Sequence, residues 1–278
     1  MTSISVAAPA KVNLFLHVTG RRADGYHTLE TLFVAIDLAD TIVLEVRADG
    51  AIRRTSDLAG VAPDDDLVVR AARALQDATA SPLGADIAVT KRIPLGGGLG
   101  GGSSDAASVL LGLNRLWDTR LPRTCLAEIG RALGADVPFF LQPQPAFARG
   151  VGDLLVPVTL PSCWMALAMP PIAIATAGIF AAPELTRNTP SEKIEIFSEG
   201  YGRNDLQGAA LARFPDVAIA LAELGAHSRH ARMTGSGSCV FAAFASEESA
   251  RAAIAGRVPG SQGMVARTLA RHPLASFG

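Results

Sequence analysis

Charge of one sign is missing from this sequence: 25 lysines and arginines stand against 26 acids, a formal net of −1. A chain so balanced has no broad field to draw it to nucleic acid or an anionic membrane, so any anion it holds must be gripped locally. Cysteine is scarce as well. Cys125, Cys163 and Cys239 are odd in number, widely spaced and set among apolar neighbours, which reads as reduced thiols and not as a disulfide framework. Aromatic residues make up 5% of the chain and only two are tyrosines, so a tyrosine in a loop stands out. Long apolar runs are absent too: the stretch from Met165 to Ala177 is interrupted by Pro170 and Pro171 and is too short to span a bilayer. The N-terminus has no basic segment ahead of an apolar core, so no secretory signal is expected, and the location expected is cytoplasmic.

What the sequence does have is a sizeable apolar fraction, 49% of 278 residues, enough for one large domain or two ordinary ones. It also has one extraordinary segment, Pro94-Leu-Gly-Gly-Gly-Leu-Gly-Gly-Gly-Ser-Ser-Asp105. Glycine lacks Cβ, so such a run can take positive φ and bring several backbone N–H groups to one ligand. An apolar helix follows, with Ala106, Val109, Leu110, Leu113 and Trp117 at helical spacing and Ser103, Ser104 and Asp105 as candidate N-caps. A glycine run feeding a helix N-terminus is an anion site, and a nucleotide polyphosphate is the commonest anion of that shape.

Alternation marks strands at Val12–Val18, Ile42–Val46 and Ile87–Val89. Asp64, Asp65 and Asp66 precede a helical pattern at Leu67, Val68, Ala71 and Leu75, and Leu126, Ile129 and Leu133 outline a further helix before Gly134. Prolines become frequent from about residue 150, which suggests a boundary there, with domains at 1–149 and 150–278. Beyond it, Asp205–Leu224 reads as helix, Cys239–Phe244 as buried strand and Ser246–Ala255 as helix, behind a second glycine loop at Thr234–Ser238. His227 and His230 have no partner cluster that would complete a metal site.

Three patterns of different meaning compete for the glycine run. By letters it satisfies G-x-G-x-x-G, but some ninety residues precede it and no acidic residue closes a second strand about twenty positions on. No Gly-Lys-Ser/Thr ends it, which disfavours a P-loop. A flexible linker would not lead straight into a capped, buried helix.

The run resembles the phosphate-binding motif of the GHMP kinases, which include galactokinase and the homoserine, mevalonate and phosphomevalonate kinases. Pro9-Ala-Lys-Val-Asn-Leu-Phe-Leu16 is similar to their N-terminal motif, and Met233-Thr-Gly-Ser-Gly-Ser-Cys239 to their C-terminal glycine motif. Ala23-Asp-Gly-Tyr-His27, Gly134-Ala-Asp-Val-Pro138 and Arg187-Asn-Thr-Pro190 resemble the branch that acts on a diphosphocytidyl derivative of methylerythritol, on the non-mevalonate route to isoprenoid precursors. The resemblance implies an α+β fold of two lobes, the first with a left-handed βαβ unit and the second ferredoxin-like, with the site between them. It implies ATP as co-substrate, Mg²⁺ and a small cytidyl alcohol as acceptor.

The same resemblance implies the site residues. Asp136 is the candidate general base, with Lys11 holding it ionised and neutralising charge at the γ-phosphate. The loop Pro94, Leu95, Gly96, Gly97, Gly98, Leu99, Gly100, Gly101, Gly102, Ser103 and Ser104 would cradle the phosphates, with Ser103 or Ser104 near magnesium; the metal ligands themselves stay unassigned. Lys91 and Asp66 would meet the nucleoside, Asp66 standing where the family has asparagine. Tyr26 and Phe180 would enclose the cytosine, His27 would bond its edge, and Asn13 and Thr176 would contact the substrate. A homoserine or mevalonate kinase of the same superfamily and a nucleotide-binding regulator that has lost catalysis are the alternatives; the presence of both Lys11 and Asp136 speaks against the second.

Overall fold

The computed structural model describes residues 2–58, 60–191, 202–255 and 261–277. β1 (Ser3–Arg21) and β2 (His27–Arg47) form a long antiparallel hairpin that is the spine of the first lobe. Along its other edge β2 pairs with β4 (Gly84–Thr90) near its end and with β5 (Ala146–Arg149) near its start. A short strand, β3 (Ile52–Arg54), pairs parallel with β4 after the chain crosses through α1 (Leu67–Thr79), which supplies the expected βαβ unit. β6 (Leu154–Pro157) closes the sheet beside β5. The helices α2 (Gly101–Leu116), α3 (Arg123–Leu133) and α4 (Val137–Phe140) complete this lobe.

The second lobe runs β7 (Trp164–Met169), α5 (Thr176–Phe180), α6 (Gln207–Leu211), α7 (Pro215–Gly225), β8 (Arg232–Met233), β9 (Val240–Phe244), α8 (Glu247–Ala255) and β10 (Gln262–Arg267). Its strands pair antiparallel in the order β10-β7-β9-β8, the order of a ferredoxin-like lobe.

Strand parity decides what each face buries. Met165, Leu167 and Phe241 of the second sheet meet Ala10, Val12, Val34 and Ile36 of the first in an apolar layer that joins the lobes. The opposite faces carry the helices: Ala166, Ala168 and Val240 pack with α6 and α7, and Ile42, Leu44 and Ile87 with α1 and α2. A break in register between Pro9 and Ala10 is what brings chemistry into the cleft. Before it, Val6 and Ala8 point to the helices; after it, Ala10 and Val12 point to the lobe junction. Proline has no N–H for the ladder, and at this break Asp37 and Leu38 of β2 are left without partners on β1. Just past this break, Lys11 and Asn13 line the cleft.

The segment read as one helix over Asp205–Leu224 is two, because Pro215 opens α7 after an extended Phe214 at φ −129°. The cap of α2 is Gly100, in the left-handed region at φ +71°, and Ser103, Ser104 and Asp105 fall inside the helix. The boundary expected between residues 149 and 150 lies in the β5–β6 turn, where a division would split one sheet; we propose to divide the chain after Pro157. The C-terminal tail belongs with the first lobe: Leu269 N donates to Ala35 O, His272 N to Pro143 O, and Leu274 is buried in the first core.

Arg123 holds that tail, donating to Leu274 O at 2.6 Å and Phe277 O at 2.9 Å. His272 Nδ1 accepts from Leu274 N at 3.1 Å, and burial, then the Arg123 charge, push its pKa down to about 4. Unfolded, the imidazole titrates near 6.5, so the unfolded chain binds the extra proton first and stability falls as pH drops from about 6.5 to 4. The loss attributable to His272 is on the order of 3 kcal/mol. Urea unfolding at several pH values should show a flatter profile for His272→Asn, whose carboxamide still accepts from Leu274 N; an identical slope would remove His272 as the cause.

Candidate active site

Between the lobes lies a cleft of about 890 Å³, lined on one side by the glycine run and on the other by β1, β2, α5 and the second glycine loop. The glycine loop is oriented by its carbonyls. Gly96 O accepts from Ile174 N, Gly97 O from Cys239 N, Leu99 O from Lys11 N and Gly100 O from Ser104 N. Among the described residues, no amide from Gly98 to Ser103 donates to another backbone group. Donors of this kind must find a ligand or water. Gly96, Gly98 and Gly100 hold φ of +69°, +73° and +71°. At Gly98 nothing larger fits, since an added Cβ would lie 2.3 Å from Thr234 O in the second glycine loop.

Lys11 and Asp136 meet in the same cleft, Lys11 Nζ lying 3.5 Å from Asp136 Oδ2, with the lysine side chain 4% exposed and the aspartate 33%. Lys11 Nζ also donates to Asn13 Oδ1 at 2.6 Å and sits over the Phe33 ring. Asn13 Nδ2 donates in turn to Thr31 Oγ1, and Asn13 N to Thr234 Oγ1. Asp136 is reached through the turn between α3 and α4; it precedes α4 but makes no capping bond, so its carboxylate stays available. An ammonium held beside a half-open carboxylate can neutralise an incoming phosphate while the carboxylate accepts a proton.

Two descriptions of protein families match: "GHMP kinases N terminal domain" over residues 66–143 and "GHMP kinases C terminal" over 181–258. The 4-diphosphocytidyl-2-C-methyl-D-erythritol kinase of Thiobacillus denitrificans is 55% identical over 97% of both chains. The chain belongs to this family of GHMP kinases. The kinase of that name from Cupriavidus necator is 53% identical over 97% of this chain and 94% of its own. A crystal structure of a 4-(cytidine 5'-diphospho)-2C-methyl-D-erythritol kinase superposes with a TM-score of 0.84 at 36% identity, covering 95% of this chain and 99% of the other. Homoserine kinase from Cytophaga hutchinsonii shares the fold at a TM-score of 0.73 and 17% identity, covering 98% and 96%. The chain is therefore an ATP-dependent small-molecule kinase with the two-lobe α+β fold of that superfamily.

The kinase brings most of the expected site residues to this one cleft: Lys11, Asn13, Tyr26, His27, Pro94 to Ser103, Asp136, Thr176 and Phe180 all line it. Three expected residues do not. Asp66 caps α1, accepting from Val68 N at 3.1 Å, and pairs with Arg54 at 2.8 Å, so its carboxylate is committed away from the cleft. Ser104 is fully buried on the inner side of α2. Lys91 is bound between Asp40 and Asp105, 2.7 Å from the latter. Burial opposes its charge, yet Asp105 and Asp40 outweigh burial and hold its pKa above the ordinary value. Burial, together with the Asp40 carboxylate, raises Asp105 to about 7 against the pull of Lys91. Asp40 also accepts from Ile93 N, so this group braces the loop where it begins and α2 where it starts.

Tyr26 stands 67% exposed at the mouth, while the Phe180 ring stacks on His27 at 5.1 Å. Thr176 Oγ1 lies 2.8 Å from Ser236 Oγ. Ser236 and Arg21 also line the cleft and were not expected there. The second glycine motif was the available signal for Ser236; a doublet such as Arg21-Arg22 carries none.

The tight packing at Gly98 gives a direct test. Gly98→Ala forces a side chain into left-handed backbone against Thr234 O and should cost roughly 1–3 kcal/mol of stability. ATP affinity measured by calorimetry should fall on the order of tenfold, and Gly97→Ala, whose Cβ would make ordinary contacts at 3.6 Å and beyond, should be milder. Equal affinities and melting temperatures for both variants and the wild type would contradict this geometry.

Proposed function

We propose that this kinase transfers the γ-phosphoryl group of ATP to the 2-hydroxyl of 4-diphosphocytidyl-2-C-methyl-D-erythritol, a step on the non-mevalonate route to isoprenoid precursors. The observation that carries the chemistry is the Lys11–Asp136 pair standing in the same cleft as the unpaired amides of the glycine loop. The acceptor's identity is supported by relatives more than half identical over nearly the whole chain.

Phosphoryl transfer asks a protein to align two substrates and to spread negative charge. The amides of residues 98–103 and the positive end of α2 hold the polyphosphate. Tyr26 and His27 hold the cytosine end of the acceptor at the mouth, with Phe180 behind the imidazole, and Asn13 and Thr176 guide the alcohol inward. The acceptor oxygen attacks the γ-phosphorus as its proton passes to Asp136, and the bond from that phosphorus to the bridging oxygen breaks to release ADP. Lys11 neutralises the charge that gathers on the transferring group.

Magnesium fits the residues present. It keeps most of its ligands as water and phosphate oxygens and needs few from the protein. No group of three or more His, Cys, Asp or Glu side chains able to hold a metal occurs among the described residues, so the ion would come with the nucleotide. Ser103, which lines the cleft, would hold it; Ser104 is buried. Bound there, the ion would add positive charge beside the polyphosphate. No helix among the described residues is long and apolar enough to cross a membrane, and three cysteines so few and widely spaced fit work in a reducing cytoplasm.

A coupled ADP-release assay tests this reading. The cytidyl alcohol should be turned over, and homoserine and mevalonate should not. Asp136→Asn should lower kcat by a factor on the order of 10² to 10⁴ with ATP affinity held. Turnover of homoserine or mevalonate alone would overturn the substrate, and near-normal kcat in the variant would remove Asp136 as the proton acceptor.

A further inference from the structure

Arg187 opens the Arg187-Asn-Thr-Pro190 stretch, and nothing in the transfer of phosphate requires it. Its guanidinium is held from several sides: Nη1 donates to Leu185 O at 3.1 Å, and Nη2 to Phe180 O at 3.1 Å and Ala182 O at 2.6 Å. A further donor, Nε, points at His27 Nε2 over 3.0 Å. A guanidinium carries donors only and does not give up its proton. The imidazole nitrogen that faces it must therefore present a lone pair.

A neutral imidazole has one N–H, so with Nε2 as acceptor the hydrogen sits on Nδ1. Burial, then the charges of Arg187 and Arg21, hold His27 below its ordinary pKa, so it is neutral at pH 7. The ring plane is fixed independently by stacking on Phe180 at 5.1 Å and 29°. Nδ1 has no hydrogen-bond partner among the described residues, and His27 lines the cleft beside Tyr26. Both the plane of the imidazole and the place of its proton are thus set by the protein before any ligand arrives.

Cytosine and uracil differ where such a donor is useful. At ring position N3 cytosine has a lone pair, and uracil has an N–H. We infer that Arg187 locks His27 in its Nδ1–H form, making it a donor that suits N3 of cytosine and opposes N3–H of uracil, so that Arg187 is a positioning residue for base choice. This rests on the cytidyl reading of the cleft. An imidazole free to exchange tautomers would present a lone pair to uracil as readily as a donor to cytosine, and discrimination would shrink.

The first measurement needs no substrate. In ¹⁵N-histidine-labelled enzyme, long-range proton–nitrogen spectra should show His27 as the Nδ1–H tautomer, and Arg187→Met should shift it toward Nε2–H. The second compares kcat/KM for the cytidyl alcohol and its uridyl counterpart. Arg187→Met should reduce the cytidyl-over-uridyl ratio by at least about tenfold, mainly through KM for the cytidyl substrate. Arg187→Lys, which keeps a donor for Nε2, should retain the Nδ1–H form and a ratio within about threefold of wild type, and it carries both tests if Arg187→Met does not fold. An Nε2–H tautomer in the wild type, or a ratio unmoved while both substrates lose equally, would overturn the inference. If the wild type turns over neither alcohol, the reading of the cleft fails, and the wild-type tautomer still decides the Arg187–His27 claim.

Discussion

Three backbone hydrogen bonds hold this site together: Ile174 N to Gly96 O, Cys239 N to Gly97 O and Lys11 N to Leu99 O. They tie one strip of glycine-rich backbone to both lobes through its carbonyls. A peptide group whose carbonyl is committed inward must turn its N–H the other way over much of such a loop. The loop thereby becomes a row of donors along the cleft. The partner of Leu99 O is the backbone of Lys11, so the same residue anchors the loop and sends its ammonium toward the reacting groups.

Local arrangement replaces overall charge in this protein. A net charge of −1 provides no steering field, and the cleft relies on amides, the end of α2 and Lys11. Behind the loop, Asp40, Lys91 and Asp105 form a second charged group that does not reach the cleft; its geometry braces the two ends of the glycine run. Burying such a group is costly unless each charge is paired. The loop's shape depends on that pairing as much as on its glycines.

Much of this was legible in the sequence because the signals were local. The glycine run, the apolar helix behind it, the acids before α1 and the alternation in β1, β2 and β4 each follow from a short stretch of chain. Where an expected ligand group is paired with another side chain, the partner lies 12 to 51 positions off in sequence. Asp66 and Lys91 look like ligand groups until Arg54, Asp40 and Asp105 are brought beside them. Ser103 and Ser104 are alike in sequence, and only the rotation of α2 separates the one at the cleft from the one inside. Proline frequency changes before the first sheet is finished, since β6 still pairs with β5, so composition does not mark the division we propose after Pro157. Arg187 gave no sign of its contact with His27, 160 positions away.

The most direct test of the account follows the loop amides themselves. Hydrogen exchange of residues 98–103, read by NMR with and without a non-hydrolysable ATP analogue, reports whether they are free donors that nucleotide engages. The account expects fast exchange in the free kinase and slowing by at least about tenfold once the analogue saturates the site. Protection already present without nucleotide, or exchange unchanged at saturation, would contradict it.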